Sequence, residues 1–426
     1  MKIQLIAIIT ASLCFGVVGA CAQTREVARS LTLEQLVEDA LRENPQLKAM
    51  RAKWEAMLER PAQERSLPNP MLMYRGMDAR DKGNFPITNE KRFEIEQQFP
   101  WFGKRALRGS IAANDAEMMK HEFQIMSRDV VLMAKEGYFD LYGVQRAMHF
   151  TRADREVLKR LEKIAETKYA TGEVSQQDVL KAQAETSMVE ARLLELEQQE
   201  ITINARLNTL LNRRADEALG LAVTAPDDKL NMGLEELFRL AEATRQETVH
   251  AQTQRQRHVL ERELMRKEYL PDYKLGLEYR SFRDSDDMVM FTVGVELPIW
   301  RSKYKAGVRE AEKMIESSEA SIEATLRQIA LEVRDAHFKL QTARRTVELY
   351  RTALVPQAES RFAASEAGYR AGKVDFLDLL ESQRFLLNAR VMFAMAEANL
   401  GMQLARIERA VGTNLKNVKP QKEEKK

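Results

Sequence analysis

Few residues of this 426-residue chain have the types and spacing that catalysis or metal binding requires. The five histidines show no ligand spacing such as HExxH, and the chain contains no Walker or Rossmann glycine loop. Twenty methionines include Met71, Met73 and Met77, whose thioethers could bind Cu(I). Methionine also fills helical cores, and a second group between Met118 and Met133 has the spacing of a packing seam. The sequence therefore predicts no enzyme, no metal site and no cofactor.

A motif with a glycine at its centre occurs twice in the chain. The sequence "YATGEVSQQDVL" at residues 169–180 returns as "YRAGKVDFLDLL" at residues 369–380. Glycine adopts positive φ at little cost, so Gly172 and Gly372 each predict a sharp turn between two long helices. The alternative is an ordinary connection between two helices that contacts no partner.

The helix that follows each turn carries N-terminal signals. Ser175 and Asp375 stand at the positions expected of N-caps. Asp178 and Asp378, in the first helical turn, would complement the positive end of the helix dipole. Pro356 interrupts the helix that leads into the second turn and should kink it.

The repeat extends well beyond these turns. Arg42 matches Arg245, and "FEIEQQFPW" at residues 93–101 matches "FTVGVELPI" at residues 291–299, always at an offset near 200 residues. This period is too long for a stacked solenoid and indicates a duplicated domain. The predicted organisation is a signal peptide at 1–22, a first repeat at 23–225, a second repeat at 226–414 and a disordered charged tail at 415–426.

Composition favours long helices over an ordinary globular fold. Aromatic residues make up 7% of the chain and charged residues 31%, and no proline occurs between residues 101 and 225. A helix over residues 103–171 would approach ~100 Å, several times the length of a globular helix. Acidic and basic residues number 64 and 66 and are interleaved, which argues against a nucleic-acid surface.

The N-terminus has the features of an export signal. Lys2 precedes an apolar run at residues 3–18, and small residues follow. Cleavage after Ala22 fits the small-x-small rule, whereas the sequence that ends at Cys21 resembles a lipobox that would leave Cys21 acylated. Both alternatives are open on the sequence. The chain has two cysteines, Cys14 and Cys21, so a disulfide framework is excluded.

Each half also contains two short segments in which apolar and polar residues alternate. In the second half these are "DYKLGLEYRS" at residues 272–281 and "MVMFTVGVEL" at residues 288–297. Their counterparts in the first half are "MLMYRGM" at residues 71–77 and "RFEIEQQF" at residues 92–99. A period of two predicts strands, so each half should supply one β-hairpin.

Four such strands in an exported chain suggest part of an outer-membrane barrel. Four strands cannot close a barrel, for which about eight is the practical minimum, and open edges are not tolerated in lipid. The chain should therefore oligomerise, with eight strands in a dimer or twelve in a trimer. The alternative is a soluble α+β protein whose two hairpins pack on each other, although long helices would find little to pack against in one monomer.

At this point the sequence resembles the TolC-like outer-membrane efflux proteins, especially the outer-membrane factors of heavy-metal exporters of the CzcC and CusC kind. The resemblance covers about residues 31–412. It depends on "QFPWFGKR" at residues 98–105, on "YLPDYKLGLEYRS" and "VGVELPIW" around the second hairpin, and on the two glycine turns. It implies a mainly α fold with a transmembrane β-barrel, in which a homotrimer forms a twelve-stranded barrel and a long α-helical barrel across the periplasm.

The resemblance also implies roles for individual residues. Gly172 and Gly372 match the turns that dock a periplasmic adaptor. Asp378 and Glu381 match two acidic residues that ring the periplasmic aperture. Two further residues, Asp178 and Tyr369, match a tyrosine-to-carboxylate latch of the closed state. An arginine of that latch corresponds to Val374, so the latch could be weaker here, or Lys373 could replace the arginine.

The resulting functional hypothesis is a passive outer-membrane conduit of a tripartite efflux system. Its partners would be the periplasmic adaptor, an inner-membrane pump of the RND type and outer-membrane lipid. Three copies each of Asp378 and Glu381 would place six carboxylates around a narrow pore, which attracts cations. The resemblance favours heavy-metal cations as the cargo. The alternative is a periplasmic coiled-coil scaffold without channel activity.

Overall fold

The computed structural model of the chain describes residues 30–77, 90–228, 230, 232–282 and 286–415. The predicted signal peptide with Cys21, and the tail from residue 416 onward, lie outside the described residues. The first half consists of β1 (Ser30–Leu31), α1 (Leu33–Glu43), α2 (Pro45–Leu58), α3 (Arg60–Arg65), β2 (Met71–Met77), β3 (Glu90–Phe99), α4 (Lys104–Ala170) and α5 (Gln176–Leu210).

The second half follows the same plan, with two helices instead of three before its hairpin and three instead of two after it. It consists of β4 (Leu221–Ala222), α6 (Leu234–Thr244), α7 (Gln246–Lys267), β5 (Asp272–Phe282), β6 (Met288–Glu296), α8 (Arg301–Leu349), α9 (Val355–Arg370) and α10 (Phe376–Val411). The predicted long helix and the four predicted strands are thereby confirmed. With 67 residues, α4 is ~100 Å long at 1.5 Å per residue. Within the described residues, no helix has a stretch long and apolar enough to span a bilayer.

One residue match between the halves is wrong. Helices α1 and α6 both have 11 residues and begin at Leu33 and Leu234, so Asn44, and not Arg42, occupies the place of Arg245. Both residues are buried between paired helices. The Asn44 side chain donates to the carbonyl of Leu210 (3.0 Å), and Arg245 donates to that of Ala410 (2.9 Å). Asn44 therefore joins the α1–α2 junction to the end of α5, and Arg245 joins the α6–α7 junction to the end of α10.

Pro356 is preceded by an irregular turn, as predicted for a kink. The five residues before α9, Tyr350–Leu354, form one turn of π-helix between α8 and α9. Proline lacks an N–H, and its ring collides with the carbonyl four residues earlier, here that of Thr352. The wider turn accommodates the proline while the helix continues.

The four longer strands form one antiparallel sheet in the order β2-β3-β5-β6. Each hairpin comes from one half of the chain, and the central pairing of β3 with β5 joins the halves. The register places Phe93 opposite Tyr279 and Ile95 opposite Leu277. Strands β2 and β6 are the edges, and among the described residues each pairs on one side only.

The two faces of this sheet have the reverse of the usual exposure. The apolar face is open, with Leu72 74% exposed and Val289 68% exposed. Its rows are Leu72, Ile95, Leu277 and Phe291; Tyr74, Phe93, Tyr279 and Val289; Leu275 and Val293; Tyr273 and Val295. The opposite face carries charged residues that cover one another, and Glu278 is only 9% exposed. A sheet whose apolar face is exposed and whose charged face is covered suits an apolar environment such as lipid.

A buried lysine joins the sheet to the long helices. Lys104, the first residue of α4, is 2% exposed. Its ammonium contacts Asp272 at 2.8 Å and Glu268 at 3.1 Å and donates to the carbonyl of Leu270 at 3.0 Å. Asp272 also accepts from the Trp101 N–H at 2.7 Å. The lysine of "QFPWFGKR" thus fixes the start of α4 to the start of β5.

We predict that Lys104→Met destabilises the protein. Removing one member of a buried ion pair leaves its partners uncompensated, which typically costs about 3–5 kcal/mol. The measurement is urea unfolding of the detergent-solubilised protein followed by far-UV circular dichroism. Lys120→Met is the matched control, because Lys120 lies on the same helix and its ion pair in the described part of the chain, with Glu117, lies at the surface. Equal midpoints for the two variants would contradict the assigned role of Lys104.

Candidate functional site

Both glycine turns have the same backbone conformation. Gly172 and Gly372 have φ of 78° and 70°, in the left-handed region. In each turn the glycine N–H bonds three residues back and the next N–H bonds five residues back, which is a Schellman motif. The pairs are Gly172 to Tyr169 (3.0 Å), Glu173 to Lys168 (2.8 Å), Gly372 to Tyr369 (3.1 Å) and Lys373 to Gly368 (2.8 Å). The sharp turns predicted at both glycines are confirmed.

The two returning helices are capped differently. Asp375 accepts from the N–H of Asp378 at 2.8 Å, as predicted for an N-cap. Ser175 occupies the N-cap of α5 with extended backbone, but its side chain makes no capping hydrogen bond. The prediction of a side-chain cap is therefore wrong for Ser175, and of the two returning helices α10 has the side-chain hydrogen bond at its N-cap.

The two turns lie side by side and share a core. Tyr369 is buried, and its ring lies 5.3 Å from that of Phe376. Lys168, from the other turn, donates to the Tyr369 carbonyl at 3.2 Å and stands 4.9 Å from the centre of its ring. The buried members of this core are Leu158, Leu161, Ala165, Ala182, Val189, Tyr369, Phe376, Leu379 and Leu380. We refer to the two turns and this core as the helical tip.

The two residues predicted to form a latch, Asp178 and Tyr369, are close enough to interact electrostatically but are not hydrogen-bonded to each other. The hydroxyl of Tyr369 has no hydrogen-bond partner within the described part of the chain. Burial raises the pKa of this hydroxyl, and the negative charge of Asp178 raises the pKa further. Asp178 itself pairs with Lys181 at 3.7 Å. Val374, where the resemblance implies an arginine, packs over Gly368 and adds no charge.

The two residues assigned to the aperture lie on one exposed face of α10. Asp378 and Glu381 are three residues apart and therefore adjacent on the helix surface. Glu381 forms an ion pair with Arg361 at the long distance of 4.0 Å. One turn further, Arg384 pairs with the buried Glu185. The face thus presents two solvent-exposed carboxylates close to the end of the molecule.

A buried carboxyl above the tip was missed from the sequence. Asp154 accepts a hydrogen bond from the amide of Gln383, while its second oxygen has no partner in the described residues. Burial raises the pKa of Asp154 to about 7. The carboxyl lines a cavity of about 400 Å³ between α4, α9 and α10, beside the Arg390–Glu359 ion pair. In the sequence Asp154 is one acid among many on a helix, and no pattern signals its burial.

The geometry offers no metal centre in the part of the chain that is described. No group of three or more His, Cys, Asp or Glu side chains converges there. His121 bonds to Gln246 at 2.8 Å, and His258 bonds to Glu261 at 2.7 Å. These histidines are accounted for by local hydrogen bonds within and between helices.

Comparison with known proteins agrees with this architecture. The family model described as "Outer membrane efflux protein" matches the chain twice, at residues 36–213 and 237–413. The two matches fall on the two halves, each with its short helices, its hairpin and its long helices.

Individual relatives cover nearly the whole chain. The cobalt-zinc-cadmium resistance protein CzcC of Cupriavidus metallidurans is 24% identical over 398 residues, which are 91% of each protein. Outer membrane protein TolC of Escherichia coli is 22% identical over 419 residues, 91% of this chain and 83% of TolC. The solved structure of CusC has a TM-score of 0.78 at 16% identity and covers 89% of this chain and 92% of its own. The structural likeness shows a TolC-like fold.

We predict that Gly372 is needed because of its positive φ, and not because a side chain at this position would collide with a neighbour. A Cβ added to Gly372 would meet nothing within 4 Å, so only the positive φ opposes a side chain. Gly372→Ala should lower the free energy of unfolding by about 1–2 kcal/mol. Gly372→Asn, whose side chain tolerates the left-handed region, should retain most of it. The measurement is the urea midpoint, and equal losses in the two variants would contradict a backbone cause.

We predict a pH-dependent effect of Asp154. Its folded pKa lies above its unfolded value, so the native state loses stability relative to Asp154→Asn as pH rises from about 4 to about 7. The two proteins should be equally stable near pH 4, and the variant should be more stable at pH 8, by about 2–4 kcal/mol. Unfolding midpoints across this range measure the difference. Asp335→Asn, at an exposed site, should show no such trend.

Proposed function

The chain belongs to the outer membrane efflux protein family, and on this premise we propose that three copies form one continuous channel. The protein is a transport conduit of the outer membrane and not an enzyme. In the proposed trimer, three four-stranded sheets make a twelve-stranded barrel in the membrane. The long helices continue it as a tube into the periplasm, with the helical tip at the far end.

The main support for this proposal is the four-stranded sheet, which exposes its apolar face and covers its charged face. Its apolar face is exposed, and its two edge strands have unpaired backbone groups among the described residues. Lipid cannot hydrogen-bond to such edges, so further copies must pair with them. Eight strands from two copies could also close a barrel. We favour three copies because the family resemblance implies a trimer.

The long helices also have apolar surface that a single copy leaves uncovered. Exposed positions include Leu194 and Ile201 on α5 and Leu331 on α8, each at least 60% exposed. Water-exposed apolar side chains of this size on rods ~50–100 Å long are the expected contacts between neighbouring protomers. A periplasmic scaffold could also bury these helical surfaces between copies, but it would leave the apolar face of the sheet exposed to water.

The helical tip is the proposed gate and docking surface. Gly172 and Gly372 shape the turns that we assign to the periplasmic adaptor, through which an inner-membrane pump would drive export. Asp378 and Glu381 are the proposed aperture ring, and their exposure on one face of α10 supports that role. Asp178 and Tyr369 are the proposed latch; an unpartnered hydroxyl beside a carboxylate leaves them free to bond when the gate closes.

Heavy-metal cations are the proposed cargo. The support is the likeness to CzcC, described as a cobalt-zinc-cadmium resistance protein, together with the acidic face at the tip. Six carboxylates around a narrow opening would concentrate cations there and disfavour anions.

The proposal is tested on the mature protein extracted from membranes. It should fractionate with the outer membrane, migrate as a trimer on unboiled gels and form conducting channels in planar lipid bilayers. A protein that is released by a salt wash and remains monomeric in buffer without detergent would refute it.

We predict that Asp378→Asn combined with Glu381→Gln lowers cation preference and weakens block by divalent cations. Three copies of the double variant remove six negative charges from the aperture. The measurement is the reversal potential across a KCl gradient, with and without divalent cation on the periplasmic side. Asp335→Asn combined with Glu323→Gln removes as many exposed charges from α8 and should leave both properties unchanged. Indistinguishable double variants would refute the assignment of the ring.

A further inference from the structure

The segment that joins the sheet to α8 exposes an apolar patch. Strand β6 ends at Glu296, and α8 begins at Arg301. Between them, Leu297, Ile299 and Trp300 are 65%, 66% and 71% exposed. This patch directly follows the exposed apolar face of the sheet, so the apolar surface continues to the first residue of the helix.

The equivalent junction of the first half also exposes an aromatic side chain. The match of residues 93–101 with residues 291–299, continued by one residue, places Phe102 at the position of Trp300. Phe102 is 81% exposed. Both junctions lie at the end of the sheet from which the long helices leave. Aromatic side chains are typical of the level at which a membrane barrel leaves the hydrocarbon, so in the proposed barrel these two residues would mark that level.

Three basic side chains follow the patch at the start of α8. They are Arg301, Lys303 and Lys305, and all three are exposed. Within the described residues none of the three belongs to an ion pair, and the first turn of α8 contains no acidic residue. The ammonium of Lys303 lies 5.6 Å from the centre of the Tyr304 ring. The start of α8 therefore presents three positive charges without a carboxylate partner in this part of the chain.

Other cations in comparable places have partners within the protein. Farther along α8, Lys313 pairs with Glu316 at 2.5 Å and Lys339 pairs with Asp335 at 2.7 Å. At the start of α4, Lys104 is buried and pairs with carboxylates of the sheet junction. The unpaired cations at the start of α8 are thus a feature of that junction, next to its apolar patch.

The three cations lie at the depth of lipid headgroups if Trp300 marks the edge of the hydrocarbon. A helix rises 1.5 Å per residue, so residues 301–305 span ~6 Å. The polar layer of a bilayer is ~5–8 Å thick on each side of its hydrocarbon core. Phosphate groups in that layer accept charge-assisted hydrogen bonds from lysine and arginine, whose long side chains reach toward them.

We propose that Arg301, Lys303 and Lys305 bind the phosphate groups of anionic phospholipids in the periplasmic leaflet of the membrane. The apolar patch would contact the acyl chains of the same lipids. The inference rests on the proposed function, because this junction faces lipid only if the sheets close into a barrel. Anionic lipid would then hold each protomer at a fixed depth, at the point where its sheet gives way to its helices.

The experiment measures the lipid preference of the mature trimer purified in detergent. Phosphatidylglycerol and phosphatidylcholine with the same acyl chains compete for the protein in mixed micelles, and native mass spectrometry counts the lipids that stay bound. The wild type should prefer phosphatidylglycerol. One lysine or arginine near an anionic surface strengthens binding about fivefold, so replacing all three cations by glutamine should lower the preference by up to about 100-fold. The preference should also fall as salt is added.

The matched control removes three exposed cations from α8 at a distance from the sheet. Lys313, Arg327 and Lys339 are exposed and pair with carboxylates on the same helix. Their replacement by glutamine should leave the preference for phosphatidylglycerol unchanged. Inorganic phosphate, added at the same concentration as the lipid, should not displace it. Displacement by phosphate would identify a site for a soluble anion and overturn the assignment to lipid.

The remaining outcomes separate this inference from the proposed function. If the wild type is a trimer extracted from membranes but shows no preference for phosphatidylglycerol, or if the triple variant keeps that preference, the inference is overturned and the channel stands. If the wild type is not a membrane-bound trimer, the channel proposal fails and this inference fails with it. Should the triple variant not assemble, single replacements decide: Lys305→Gln should lose about fivefold in preference, and Lys305→Arg should retain it.

Discussion

An incomplete sheet with its apolar face outward is the constraint from which the rest of the architecture follows. Among the described residues, the outer edges of strands β2 and β6 have backbone groups with no partner in the same copy, and apolar residues such as Leu72 and Phe291 are exposed. In lipid no solvent can satisfy those groups, so closure by other copies is a physical requirement. In the proposed barrel the charged face with Glu278 and Arg280 would line the inside, and the exposed apolar positions of the long helices would contact neighbouring copies.

Buried cations hold the places where the chain changes direction. Lys104 joins the start of α4 to β5, and Arg245 joins the α6–α7 junction to the last turn of α10. Both donate to backbone carbonyls that secondary structure leaves unsatisfied, in addition to pairing with carboxylates. Cations at these joints are costly to bury, but they have directional bonds that an apolar side chain lacks. The rigid joints are what allow rods of this length to keep a defined relation to the sheet.

The duplicated halves have similar backbone geometry, but different side chains stabilise equivalent positions in the two halves. The Schellman turns at Gly172 and Gly372 are nearly superimposable in φ and hydrogen bonding, yet Asp375 caps its helix and Ser175 does not. Asn44 and Arg245 hold equivalent joints with an amide and a guanidinium group.

The sequence by itself determined the local structure and the duplication. Strands, long helices and glycine turns follow from short-range periodicity and from the conformational freedom of glycine, which are properties of neighbouring residues. Only the tertiary structure decided the pairing of β3 with β5, the burial of Lys104 and Asp154 and the unmade Tyr369 hydrogen bond. Each depends on residues that are far apart in sequence, so their partners and local dielectric exist only after packing. The match of Arg42 with Arg245 was wrong for the same reason: two residues of the same type need not occupy equivalent positions between helices, and only the packed structure shows that Asn44 does.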